Sequence, residues 1–317
     1  METTFEETTT IASTELEAPP LSLRELFWRR FRRHKMALAG AVMLILLILF
    51  ATVGALFFTE AYGNITDTKI RLQAPSAEHP FGTDTVGRDL LARTIYGGQI
   101  SLMIGFTAVL IGIIVGVSIG AISGYYGGWI DSVLMRFTEA VFNIPTIPLL
   151  LVLSKMLSNK IPTIELLGRE FSGSVVVITG VIGLTSWMGL ARLVRANFLS
   201  LKEQEFVTAA RSIGASNFSI IFEHILPNTV APIIVAATLG VANAIISEAY
   251  VSFLGVGVMP PIATWGNMLT GAYKYIETAP WNWIFPGTLI VLTVLSINFV
   301  GDGLRDALDP RALVETD

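Results

Sequence analysis

Apolar residues in this chain fall in long, nearly unbroken runs rather than on one helical face or at alternate positions. A helix needs about 20 such residues to cross ~30 Å of hydrocarbon with every backbone polar group satisfied internally. Runs of that kind occupy 36–58, 100–122, 133–154, 174–193, 227–254 and 284–300. They predict an all-α, polytopic membrane protein with six transmembrane helices. The third run is interrupted by Arg136, Glu139, Pro145 and Pro148, which predicts a bent or partly interfacial helix. Between the fourth and fifth spans the pattern changes, and the loop over 195–226 becomes amphipathic. Phe206, Ala210 and Ile213 recur at helical spacing, Gly214 ends that helix, and Phe218, Ile221, Phe222 and Ile225 begin a second stripe before Pro227. This reads as helix, turn, helix.

The remaining stretches divide the chain. Residues 1–23 are Thr- and Glu-rich and too poor in large apolar side chains to offset the entropy of ordering, so a disordered tail is expected there. A basic segment and the first span follow over 24–58, then an extracytoplasmic loop over 59–98, a core of five spans over 99–303, and a short tail over 304–317. The first basic cluster, Arg29 to Lys35, lies too far from the start for a signal peptide, so the span behind it is read as a retained anchor.

Composition reinforces the membrane reading. Of 317 residues, 52% are hydrophobic and 15% charged, where a soluble domain carries about 25% charged residues. Mean hydropathy is +0.64. The net charge of -4 gives no basic excess for nucleic acid, and the absence of cysteine removes disulfides, thiolate metal sites and cysteine nucleophiles. Lys and Arg are moderately enriched in the segments that become internal when the N-terminus is cytoplasmic, among them Arg24, Arg29 to Lys35, Arg136, Arg192, Arg195, Lys202, Arg211 and Arg305. Both termini are therefore expected in the cytoplasm. Tyr273, Tyr275, Trp281 and Trp283 then stand where an interfacial aromatic belt belongs.

Motifs for catalysis are weak. Gly116 to Gly120 matches GxSxG around Ser118, but without the strand-to-helix turn, histidine and acid that a nucleophile elbow requires. The same glycines belong to a series, Gly112, Gly116, Gly120 and Gly124, on one helix face, where small residues let two helices approach closely in lipid. His34, His79 and His224 lack metal-ligand spacing, and no P-loop occurs, so the chain is not expected to hold a metal or ATP itself. Intramembrane polar residues mark candidate positions along a solute pathway: Asn143, Asn243, Ser247, Glu248 and Asn298. Glu248, near the far end of its helix, suits hydration or a partner contact as well as it suits substrate. Arg136 and Glu139, three apart, suggest a local ion pair or interface anchor. The 195–226 loop is no DNA-binding module, because 215–226 contains no Lys or Arg. A hairpin lying on the membrane and a loop inserted into a partner subunit both fit its pattern.

Thr208-Ala209-Ala210, Gly214 and Ile225-Leu226-Pro227 resemble the EAA signature of ABC-importer permeases. Further stretches, in order, are similar to the C-type permease subunit of dipeptide and oligopeptide importers. They are His79 to Asp84 with Gly87-Arg88-Asp89, Ser252 to Gly255, Pro260-Pro261, Trp265 to Leu269, Ala279 to Trp281, Phe285 to Gly287, and Gly301 to Asp306 with Asp309 to Arg311. The resemblance implies a multi-pass inner or plasma membrane permease with no enzymatic activity, paired with a homologous second permease. It also implies two ATPase subunits that use ATP and Mg, and an extracytoplasmic solute-binding protein that delivers dipeptides, longer peptides, metal chelates or oligosaccharides. The ATPase-coupling residues it implies are Glu205, Phe206, Thr208, Ala209, Ala210, Ile213, Gly214, Leu226 and Pro227, with Phe206, Ala209, Ala210 and Ile213 as the docking face. Thr208 stands where the family has Glu, and Glu205 one turn earlier is placed to supply that polar contact. A stand-alone secondary transporter is the alternative, and a membrane-embedded hydrolase a more distant one.

Overall fold

The computed structural model describes residues 22–157, 160–166 and 169–308. Most of the tail expected over 1–23, and residues 309–317 of the other, lie outside the described residues. Helix α1 (Leu23–Arg33) is basic and amphipathic and begins with a capping box between Ser22 and Glu25. After His34, α2 (Lys35–Val53) is apolar all round, as a membrane span is. A short α3 (Glu60–Asn64) follows in the loop.

Helix α4 (Leu90–Tyr126) has 37 residues, about 55 Å at 1.5 Å per residue, so the span expected over 100–122 is only its middle. It starts where the Asp89 side chain accepts the Ala92 N–H, and it ends at Gly127. Helices α5 (Gly128–Phe142) and α6 (Thr146–Leu157) meet at 84°. Pro145 pushes Ile144 out of helical backbone, and Pro148 sits in the first turn of α6, where a missing N–H costs nothing. The third span is thus a broken pair. Among the described residues, five helices are long and apolar enough to cross a membrane, or six if the pair is one span.

A short antiparallel hairpin, β1 (Ile164–Leu166) with β2 (Arg169–Phe171), leads into α7 (Gly173–Leu201). Then come α8 (Glu205–Ser212), α9 (Asn217–Ser219), a π turn over Ile220–Ile225, and α10 (Leu226–Phe253). Pro227 has no N–H to return to Glu223, and the widened turn ahead of it is where the regular ladder gives way. Helices α11 (Trp265–Met268) and α12 (Trp281–Leu308) complete the bundle. Because α12 runs to Leu308, the tail expected from 304 begins as helix.

Helices α4 and α7 form the spine. A Cβ added at Gly116 would lie 2.9 Å from the Trp187 carbonyl oxygen, at Gly120 2.5 Å from that of Ala191, and at Gly124 2.6 Å from Phe198 Cβ. Gly112 meets the Ser186 hydroxyl in the same way, at 2.7 Å. The approach is reciprocal, since a Cβ on Gly183 of α7 would come within 2.8 Å of Ile111. Ile104, Ile178, Ile245 and Trp265 continue this contact into the main apolar core. The Ser118 hydroxyl donates to the Ile114 carbonyl one turn back and faces outward from a regular helix, on the side away from the glycines that meet α7.

The end of the bundle away from the 195–226 loop is closed by a polar cap. His79 Nδ1 is 2.8 Å from Asp89, with both side chains buried. Arg93 donates to Asn64 and to the Pro261 carbonyl, and Asp84 takes a 2.6 Å hydrogen bond from Arg88. The Trp281 indole N–H reaches the Thr83 carbonyl, and Phe81 stacks on Phe285 with centroids 3.9 Å apart. Much of the motif-bearing sequence around 79–89 and 260–287 is therefore the material of this cap.

Candidate coupling site and pathway residues

Helix α8 ends in a Schellman cap. Gly214 adopts φ +86, its N–H bonds the Arg211 carbonyl, and the Ala215 N–H bonds the Ala210 carbonyl. A Cβ at Gly214 would meet nothing within 4 Å, so the glycine is needed there for backbone conformation alone. The helix has two apolar faces. Val207 is fully buried and Ala210 is 5% exposed, both turned into the chain. Val207 packs in a cluster with Phe198, Ile220 and Ile225. Phe206 at 40% and Ile213 at 87% exposure point the other way, together with exposed Ala209.

The docking face expected from sequence, Phe206 with Ala209, Ala210 and Ile213, is thereby corrected. Ala210 is an interior residue, and Val207, which the spacing argument passed over, shares its side. Apolar spacing marks both faces of a short helix alike, and only the packing of the following π turn distinguishes them. Glu205 and Thr208 are exposed, and the Thr208 hydroxyl lies 3.4 Å from its own Gln204 carbonyl. Leu226 is half-buried and Pro227 exposed at the start of α10. Phe218 and Phe222 add a second exposed apolar pair, with ring centroids 4.4 Å apart.

The loop is fastened to the spine by groups that sequence reading did not pair. Arg195 grips Asp131 with two 2.5 Å hydrogen bonds, and Asp131 also accepts from the Ser123 hydroxyl. Lys202 Nζ donates to the Gly124 carbonyl, and the Tyr125 hydroxyl to the Asn217 side chain. The ion pair that anchors α5 is thus Asp131–Arg195 rather than Arg136 with Glu139.

The pathway candidates do not form one group. Asn143 lies exposed at the α5–α6 break and donates to the Glu139 carbonyl; Asn243 is exposed, and Ser247 and Asn298 are half-buried. Glu248 departs from the expectation of a hydrated, partner-facing or substrate-facing residue. It is fully buried, accepting from the Ser101 hydroxyl at 3.1 Å and the Ser252 hydroxyl at 2.7 Å. Those hydroxyls accept the Trp265 and Val258 backbone N–H groups in turn, so the carboxyl ties α4 and α10 to the chain entering α11. Glu248→Leu would orphan both hydroxyl donors, an expected loss of about 2–4 kcal/mol. Glu248→Gln keeps one acceptor and should lose about half as much, as read by thermal unfolding of the purified protein. A groove between α7, α10 and α12 gathers Asn197, Asn228 and Arg305, which the hydropathy pattern did not single out because they lie at the ends of spans.

Among the described residues no group of three His, Asp or Glu is placed to hold a metal ion. Residues 116–314 match the family described as the binding-protein-dependent transport system inner membrane component, and residues 22–75 match the N-terminal TM domain of oligopeptide transport permease C. The chain is 41% identical to the dipeptide transport system permease protein DppC of Alkalihalophilus pseudofirmus, over 91% of this chain and 90% of that protein. It is 40% identical to the oligopeptide transport system permease protein OppC of Haemophilus influenzae, over 94% and 91%. A solved inward-facing structure of the MetNI methionine ABC transporter overlays 68% of this chain and 96% of its own with a TM-score of 0.52 at 19% identity, a likeness of fold. These likenesses favour an ABC importer permease over a stand-alone secondary transporter. The chain belongs to the binding-protein-dependent transport system inner membrane component family, in the branch of dipeptide and oligopeptide permease C subunits.

Proposed function

We propose that this permease subunit forms half of a transmembrane pathway for peptides or a similarly small solute, with a homologous second permease as the other half. Two ATPase subunits use ATP and Mg at the 195–226 end, and a solute-binding protein delivers cargo to the cap. The chain performs no bond chemistry. It exists in two arrangements whose balance is shifted when ATP closes the ATPases. The observation that carries this reading is Ile213, 87% exposed beside a rigid Schellman turn in a loop fastened to the α4–α7 spine. With exposed Phe206 and Ala209 it makes an apolar face rather than a lone exposed side chain, and such a face suits a partner cleft. Asn143, Asn243, Ser247 and Asn298 remain pathway candidates, joined by Asn197, Asn228 and Arg305.

The test is ATP-dependent uptake of a labelled dipeptide and a labelled longer peptide into vesicles holding the full complex with its binding protein. Uptake driven by an ion gradient without the ATPases would overturn the reading. In the proposed orientation both termini and the 195–226 loop are cytoplasmic, with 59–98 and 255–282 outside. The cysteine-free chain suits single-cysteine labelling. Because Thr264 is fully buried, the informative outer positions are the exposed Ile65 and Tyr273. Ile65→Cys and Tyr273→Cys should react with an impermeant reagent from outside only, and Phe218→Cys from the cytoplasm only. The reverse pattern would invert the topology.

A further inference from the structure

Helix α1 carries a surface that the coupling role does not use. Its inner face is occupied, because Phe27 and Phe31 pack with Ala37 of α2 and with Leu304 and Ala307 of α12. Helical spacing puts Trp28, Arg29, Arg32 and Arg33 on the opposite side, and all four are exposed. The Arg32 guanidinium lies 4.8 Å over the Trp28 ring. Two acids stand near this face. One is Glu25, whose carboxyl is held below its usual range by hydrogen bonds from the Ser22 backbone N–H and hydroxyl. The other is Asp306 of α12, 3.5 Å from His34. Only His34 separates α1 from α2, so Arg33 is within ~7 Å of the first residue of a membrane span. The patch therefore sits about a Debye length or less, ~10 Å at 0.1 M salt, from the bilayer surface.

We propose that the Trp28, Arg29, Arg32 and Arg33 face binds the phosphate headgroups of anionic phospholipids. The argument is charge complementarity in a fixed place. Guanidinium forks match phosphate oxygens bidentately, an indole prefers the headgroup layer, and the covered inner face leaves the basic side free for lipid. The site does not depend on which leaflet that end of the bundle meets. Each arginine so placed strengthens attachment about fivefold, and the pairing with α12 gives the lipid a hold on the last span as well as the first.

The test uses the complete transporter complex in detergent, with phosphatidylglycerol or phosphatidylcholine added and retained lipid counted by native mass spectrometry. The unaltered complex should retain phosphatidylglycerol preferentially. A diazirine-bearing phosphatidylglycerol should crosslink to the peptide spanning 22–35. The triple change R29Q/R32Q/R33Q should weaken phosphatidylglycerol retention by about tenfold or more, while R29K/R32K/R33K, which keeps the charge and loses the bidentate fork, should fall between the glutamine variant and the unaltered complex. Equal retention of the two lipids, or crosslinks confined to other segments, would overturn the proposal. Displacement of phosphatidylglycerol by soluble glycerol 3-phosphate would overturn it in favour of a free-anion site. Loss of the ATPases from the glutamine variant with lipid retention unchanged would assign the face to a protein contact instead. Should the glutamine variant fail to assemble, the crosslink map of the unaltered protein decides.

Discussion

Gly120→Leu is expected to abolish stable insertion of the folded bundle, whereas Gly189→Leu, on the partner helix α7, is expected to leave it nearly intact. At Gly120 even a Cβ would sit 2.5 Å from the Ala191 carbonyl oxygen and 2.7 Å from Val194 Cβ. Neither a helix carbonyl nor a buried β-branched carbon can step aside without moving α7. Overpacking of a well-filled interior costs about 1–3 kcal/mol and more where backbone obstructs the new atoms, so a whole isobutyl group here should exceed ~3 kcal/mol. At Gly189 a Cβ would meet nothing within 4 Å, so the same side chain has open space. Both variants change glycine to leucine in a membrane helix, which cancels differences in propensity and hydropathy. Membrane abundance and thermal unfolding should separate them by at least about fivefold in folded protein. Equal behaviour would show that the α4–α7 approach is not what holds the spine together.

The spans were legible because lipid demands length and apolarity, and both are written in linear sequence. Even the weak third run announced its fault, since Pro145 leaves no regular helix between Asn143 and Thr146. The lengths were less legible. Helix α4 continues beyond the span expected over 100–122 at both ends, from its cap at Asp89 to its stop at Gly127, and neither signal lies within the apolar run. The buried polar links were not legible at all. Nothing local tells Glu248 that Ser101, 147 residues away, will close over its carboxyl, or tells Asp131 of α5 that Arg195 will reach it from α7. The relative positions of the helices settle such pairings, and that information is absent from a one-dimensional pattern. The glycine series differs in kind: four-residue spacing predicts one helix face, and on that face an added Cβ would collide with α7.

Ile213→Asp separates coupling from folding more cleanly than any change on the inner side of α8. Ala210→Asp would place an unpaired charge in the chain's own interior, and the loop would be lost before any partner was tested. Ile213 is already in water in this chain, so its replacement should change the unfolding midpoint by no more than a surface substitution does, about ±0.5 kcal/mol. Against an ATPase cleft the same aspartate becomes a buried, unpaired charge, at a cost of several kcal/mol. The expected result is a normally folded permease that co-purifies poorly with the ATPases and loses substrate-stimulated ATP hydrolysis at least about tenfold. Gly214→Val should lose coupling by another route and with a visible folding cost. A β-branched residue held at φ +86 is strained by roughly 1–2 kcal/mol, and relieving that strain turns α9 and the π turn away from their present positions. Phe206→Asp, on the same outward face, should follow Ile213→Asp rather than Gly214→Val. Wild-type ATPase stimulation in reconstituted Ile213→Asp complexes would place the ATPase contact elsewhere on the loop, and persistence in all three variants would remove α8 from the coupling mechanism altogether.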